Sequence, residues 1–421
     1  VTAVPYPRFL RLRQTFPRPR VENIPQATRS ALEKLRLGGT IKPGQTVALT
    51  AGSRGIANIP VVLKAVAQHL RDLGARPYLV PTMGSHGGGT AQGQREVLES
   101  YGITEEFVGV PIRASMEVIS LGKTAEGWPV YLDKLASEAD HIGVVARVKP
   151  HTSYHGPIES GLCKMMMIGL GKHVGAAWYH RLLLEQPYDP VVRAVGRHMR
   201  AKAPIAFGVG IVENGFDETA LIDAVLPADF EPAEERLLVK AREWLARLPF
   251  HSADLLIIDE IGKEISGSGM DTNVVGRKRA FKNKPPENQP EMRFIFVRGL
   301  SAHTHGNAAG LGFADFTTTR LVRNMNYKAT VINCVTSGYP EGANLPVYYD
   351  SDREVLDAAL SIIGTRPVEQ ARIIHIRNTL VLHEVEVSEP CLAELPRMTE
   401  FDVARGPYEP AFDADGNMTA I

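Results

Sequence analysis

Short apolar runs alternate with amphipathic stretches along this chain, and their order predicts an α/β protein with parallel sheets. Residues 46–50 (TVALT) read as a buried strand closed by the polar loop AGSRGIAN. A helix is predicted next: Asn58 and Pro60 are start signals, Val62, Ala65, Val66, His69 and Leu73 share one face, and Gly74 is a natural stop. Residues 77–82 (PYLVPT) make a second strand, the loop MGSHGGGT follows, and a helical stretch occupies about 91–100. Strand, loop, helix and strand in that order argue for parallel pairing. The pattern returns at 141–148, running into KPHTSYHG, and at 205–212, running into ENG. A charged amphipathic helix over 231–248 is the natural bridge to a second domain. Beyond it, 253–259, 293–297, 329–335 and 372–377 read as strands and 352–363 as a helix. The simplest architecture is two domains with mostly parallel sheets flanked by helices, divided into residues 1–250 and 251–421, with the active site in the cleft between them.

Charge narrows the class of partner. The 421 residues carry 47 basic and 47 acidic side chains, and a chain without basic excess is poorly suited to hold nucleic acid or an anionic membrane. Cys163, Cys334 and Cys391 form an odd set without CxxC spacing, which predicts neither a disulfide framework nor a zinc knuckle. The first twenty residues interleave arginine and proline with apolar residues, and no apolar run approaches the roughly 20 residues that cross a bilayer. A cytoplasmic protein is expected.

Ligands of open parallel sheets bind beyond the carboxyl ends of the strands. Arg54 follows the first of these strands, His86 the second and His151 the third, so all three should gather at one edge. A guanidinium fork that can hold a carboxylate, beside two imidazoles, makes an acid/base site, and the glycines around them permit close backbone approach. The following stretch holds His155, His173 and His180 with Lys164 and Lys172 around the methionines 165–167, which are expected as core filler. Lys164, in apolar company, is a candidate nucleophilic amine, and His180 a candidate metal ligand.

Other motifs carry less. The sequence His86–Gly89 is similar to an esterase oxyanion loop, but the chain has no GxSxG elbow. Gly306, Gly310 and Gly312 lack the G-x-G-x-x-G order of a dinucleotide loop, and His303 with His305 is a low-specificity metal pattern. The basic cluster Arg277, Lys278, Arg279, Lys282 and Lys284 reads as a solvated loop. An NAD-dependent 2-hydroxy acid dehydrogenase and a non-catalytic protein that binds a carboxylate or nucleotide remain alternatives to an acid/base enzyme at this point.

On these residues the chain resembles the nickel-dependent lactate racemase family. The resemblance covers residues 45–185: T-x-x-x-R at Thr50–Arg54, G-x-H at Gly84–His86 followed by a helix with Glu96, the pair Pro150–His151, and Lys164 with Gly169 five and His180 sixteen residues on. It implies an isomerase, a racemase or C2 epimerase of 2-hydroxy acids, that uses a nickel-pincer nucleotide (a pyridinium-3,5-bisthiocarboxylic acid mononucleotide). Lys164 would be joined to that cofactor near Gly169, His180 would ligate the nickel, His86 and His151 would be the catalytic pair, and Arg54 would bind substrate. Partners implied are the small acid itself and, transiently, cofactor-assembly proteins. Three departures stand out: Arg54–Gly55 replaces Arg-Pro, TSYHGPIESGLC replaces a compact turn, and Ile168 replaces a proline. Ser153, Tyr154, His155 and Glu159, if they line the site, would suit a larger, hydroxylated or acidic 2-hydroxy acid such as an aldonate.

Overall fold

The apolar runs of the first half become neighbouring strands of one sheet. The computed structural model describes residues 6–52, 55–278, 287–394 and 401–421. Its strands begin with β1 (Phe9–Gln14), β2 (Thr46–Ala51), β3 (Arg76–Pro81), β4 (Val118–Lys123), β5 (Pro129–Asp133), β6 (His141–Arg147), β7 (Ile205–Glu213) and β8 (Thr219–Val225). Two units emerge: residues 18–245, and residues 6–17 together with the described residues from 246 onward. The division expected at residue 250 therefore shifts to 245/246, and the N-terminal segment joins the C-terminal unit. The cause is β1, which pairs with strands near the far end of the chain.

In the first unit the sheet order is β3-β2-β6-β7-β8, parallel except for β8, with β4 and β5 as a separate antiparallel pair. Val47, Ala48, Leu49, Thr50 and Ala51 are all buried, because helices cover both faces; the run therefore shows no alternation. The longer helices are α1 (Ile24–Glu33), α2 (Ile59–Asp72), α3 (Ala91–Ser100), α4 (Lys172–Leu182), α5 (Tyr188–Lys202) and α6 (Phe230–Trp244). Val62, Leu63 and Val66 of α2 join Val47 and Leu49 in one core, while Tyr179 of α4 and Val191 and Val195 of α5 join Ala48 and Val144 in the other. At Gly143 a Cβ would lie 2.4 Å from Phe207 and 2.7 Å from Leu49, so only glycine lets the strand pass there.

The second unit holds β9 (Ser252–Ile258), β10 (Glu291–Val297), β11 (Phe316–Thr318), β12 (Val347–Tyr349), β13 (Ile373–Ile376), β14 (Glu384–Ser388) and β15 (Phe401–Tyr408). Its sheet order is β12-β11-β10-β9-β13-β14-β1-β15, parallel from β12 to β13 and antiparallel beyond. Residues 329–335 are not a strand. They lie in helix α7 (Tyr327–Thr336), whose first turn is capped by Asn326 Oδ1 accepting from Ala329 N–H at 3.1 Å. Helix α8 (Asp352–Leu360) opens with a capping box between Ser351 and Glu354. The fold is mixed α/β with mostly parallel sheets. Among the described residues no helix is long and apolar enough to cross a membrane, and the three cysteines are free and buried.

Candidate active site

Because β3, β2 and β6 are parallel neighbours, the loops after them leave the same edge of the sheet. Thr50 pins that edge: its hydroxyl accepts the Val145 N–H at 2.7 Å and donates to the Val145 carbonyl at 3.1 Å. Arg54 lies outside the described residues. Gly52, just before it, would bring a Cβ within 3.1 Å of Met165 Cε.

His86 sits exposed on the loop after β3 and leads into the turn Gly87–Gly89, whose glycines all take positive φ. Gly84, also at positive φ, packs so closely on Ile168 and Ala176 that a Cβ would lie 3.3 and 3.2 Å from them. The loop is anchored from below by Gln94 of α3, whose buried amide donates to the carbonyls of Gly84 (2.9 Å) and His86 (3.3 Å). Gln94 is itself held by Lys172 Nζ at 3.1 Å, which also donates to the Pro81 carbonyl at 2.8 Å and pairs with Asp133 at 3.1 Å. Both members of that pair are fully buried; burial lowers the Lys172 pKa and raises that of Asp133.

His151 opens the loop after β6. Its backbone N–H donates to Glu159 Oε2 at 2.6 Å, and its ring Nδ1 accepts from the N–H groups of Ser153 (2.9 Å) and Tyr154 (3.3 Å). The ring stacks on Tyr154 at 4.5 Å, and Tyr154 stacks on Tyr188 at 4.4 Å. Glu159 is completely buried and also binds Gly156 N–H, His155 and Arg242 Nη2 at 3.1, 3.1 and 2.7 Å. The expectation that Glu159 lines the site is thus corrected, since its carboxylate is committed to folding the loop. Tyr154 likewise is committed to the ring stack.

Lys164 is half-buried and ends the short helix Leu162–Lys164, which continues as a π-helical turn, Met165–Leu170, and then as α4. π-Helical turns concentrate at functional sites because the extra residue re-aims side chains. Within this turn Met166 and Met167 are core residues, as expected. Gly169 would bring a Cβ within 2.7 Å of Met165 Sδ and 3.0 Å of the Thr82 carbonyl, so the turn lies directly against the end of β3. His180 lies in the last turn of α4, where burial, helped by the positive charge of Lys164, pushes its pKa down to about 4. The imidazole is therefore neutral at pH 7, a form in which one ring nitrogen can ligate a metal.

The remaining candidates find structural uses. Gly310 and Gly312 allow backbone-to-backbone packing, since a Cβ would lie 1.7 Å from the Ser268 carbonyl and 1.8 Å from that of Glu341. Lys263 binds the Gly267 carbonyl (2.6 Å) and Asn333 (2.7 Å), and Arg277 binds Asp315 at 2.7 Å. Of the basic cluster, Arg279, Lys282 and Lys284 lie outside the described residues. His303 and His305 are exposed, and among the described residues no group of three or more His, Cys, Asp or Glu side chains could hold a metal ion. Sequence reasoning missed Gln94, Arg242 and the buried role of Lys172; only the presence of Lys172 near Lys164 hinted at one of them.

No family model matches the chain, and no curated protein matches it. Several solved structures are similar to it in fold, two of them as follows. One is the lactate racemase apoprotein of Thermoanaerobacterium thermosaccharolyticum, with TM-score 0.52 and 15% identity over 88% of this chain and 93% of that one. The other is a protein from Thermotoga maritima, with TM-score 0.50 and 13% identity over 77% and 84% of the two chains. At these identities the likeness is one of fold: the chain has the mixed α/β fold seen in the lactate racemase apoprotein.

Proposed function

We propose that this chain is a racemase or C2 epimerase of 2-hydroxy acids that works with a nickel-pincer nucleotide joined to Lys164. The observation that carries the reading is the run from Lys164 to His180. A half-buried amine and an imidazole kept neutral share one helical segment, which packs against the glycine-rich loop of His86. The likeness in fold to a lactate racemase apoprotein supports the same reading.

The residues present fit the cofactor. Lys164 offers the amine for a covalent link, and His180 a neutral nitrogen of the kind nickel prefers. When bound, such a group supplies a carbon able to take up hydride beside a metal ion. An imidazole is too weak a base for the α-proton of a 2-hydroxy acid, but it is matched to the hydroxyl proton when the carbon gives up hydride instead. His86 and His151 are assigned to the substrate's hydroxyl, and Arg54 to its carboxylate, which a guanidinium fork matches. A planar 2-keto acid lies between the two epimers.

Intact mass of protein made together with the cofactor-assembly proteins tests the reading. We expect a nucleotide-sized adduct and nickel in the parent chain, loss of the adduct in Lys164→Ala, and interconversion of single-enantiomer 2-hydroxy acids on chiral analysis. Absence of the adduct under cofactor-replete conditions would overturn it.

A further inference from the structure

The parallel strands of the second unit end at a cavity that the assigned function leaves unused. From β9 the chain adds β10, β11 and β12 outward on one side of the sheet and then returns to place β13 on the other, so the strand order reverses between β9 and β13. Loops diverge at such a point and leave a crevice beyond the carboxyl ends of the strands, the usual seat of a ligand in open α/β sheets. A cavity of about 370 Å³ lies there. Small molecules are received by cavities of roughly 300–1,000 Å³. Asp259 and Glu260 follow β9, Arg298 follows β10, Arg320 lies in the short helix Thr319–Asn324 after β11, and Arg377 follows β13; all five line the cavity.

Three guanidiniums thus meet two carboxylates, and the carboxylates are already engaged. Asp259 Oδ1 accepts from Arg298 Nη1 and from His375 Nε2, the latter at 2.7 Å, while its Oδ2 accepts the Ile421 N–H at 2.9 Å. Glu260 Oε1 accepts from Asn378 Nδ2 at 3.0 Å and from Arg377 Nε at 3.3 Å. Arg298 is buried, and its other donors go to Asp352 at 2.8 Å and to the Met418 carbonyl. The fully buried Asp352 also holds Arg320 Nη2 at 2.5 Å, which fixes that side chain from behind. Arg377 and Arg320 are the reachable cations, with side chains 57% and 36% exposed against 7% for Arg298. Among the described residues neither terminal nitrogen of Arg377 has a hydrogen-bond partner, nor does Nε of Arg320.

We propose that this cavity is a binding site for a small dianion, a phosphate monoester or a dicarboxylate, held by Arg377 and Arg320. A guanidinium fork gives directed N–H bonds to an oxyanion, and two of them with open donors match two negative charges. A monoanion leaves one of the pair unmatched. Every lining residue named belongs to the second unit, so the site is independent of the function assigned above.

Titration calorimetry of the full, cofactor-free chain with glycerol 3-phosphate, succinate and acetate tests this. At least one dianion should bind with a Kd of roughly 1 mM or tighter, and acetate about tenfold or more weakly than it. Binding of glycerol 3-phosphate alone assigns the site to phosphate monoesters, and binding of succinate alone to dicarboxylates. Arg377→Met, at an exposed position, should keep the parent's urea midpoint and weaken the dianion about tenfold or more, whereas Arg54→Ala should leave that binding intact. The proposal is overturned if neither dianion binds, if acetate binds as well, if binding survives Arg377→Met, or if it is lost in Arg54→Ala, which would place the anion in the first unit.

Discussion

Lys172 takes φ +54, a left-handed conformation costly for a residue with a Cβ, and it is buried without exposure. Its three contacts explain why the cost is tolerated: they tie the end of β3, helix α3 and Asp133 at the end of β5 to one ammonium. Lys172→Met leaves the Asp133 carboxyl buried without its counter-ion and should cost about 3–5 kcal/mol. The double variant Lys172→Met/Asp133→Leu should recover most of that loss in denaturant titrations, because a buried pair replaced on both sides is often neutral. A double variant no more stable than the single one would refute the pair as the source of the cost. None of this was legible in the sequence, since Lys172 and Gln94 lie 78 positions apart and burial, not spacing, makes them partners. His86, His151, Lys164 and His180 could be named because each belongs to a short motif. Glu159 and Arg242, 83 positions apart, could not be paired that way.

Helix α6 reaches the same region through one carboxyl. Glu234 accepts the Cys163 N–H at 2.8 Å at the start of the segment that carries Lys164, while its other oxygen is buried without a hydrogen-bond partner among the described residues. Burial raises its pKa from the ordinary 4.5 to about 7. Between those two values the folded chain keeps a proton that the unfolded chain releases, so stability should fall as pH rises from about 4.5 to about 7 and level off above. The effect is on the order of a few kcal/mol. Glu234→Gln should flatten this slope in denaturant midpoints taken across that range; parallel slopes in parent and variant would count against the buried acid. Among elements, the parallel strands were readable because burial on both faces makes them continuous apolar runs. Residues 329–335 misled because β-branched residues suggested a strand, whereas α7 buries only Thr330 and Cys334, four apart, and leaves Ile332 and Val335 exposed. The antiparallel strands escaped notice for the opposite reason: β15 is exposed along most of its length, and β14 carries Glu384 and Glu386.

At the scale of the molecule, the described residues pass between the two units near residues 17 and 245. Strand β1 lies between β14 and β15, pairing Leu12 with Val385 on one side and Val403 on the other. A fragment of residues 18–245 should therefore fold alone, as judged by a cooperative urea transition. A fragment of residues 246–421 should not, because β14 and β15 lose the strand that joins them; adding a peptide of residues 6–17 should restore its structure, and a cooperative transition without the peptide would refute the dependence. The same connection orders events on the ribosome. The unit bearing His86, His151 and Lys164 can close as soon as residue 245 is free, while β1 must wait, edges unpaired, for β14 and β15, which are made only after the whole of that unit. Its alternating Arg11 and Arg13, later matched to Glu386 and Glu384, keep that waiting strand charged on one face and so guard it against pairing with another nascent chain.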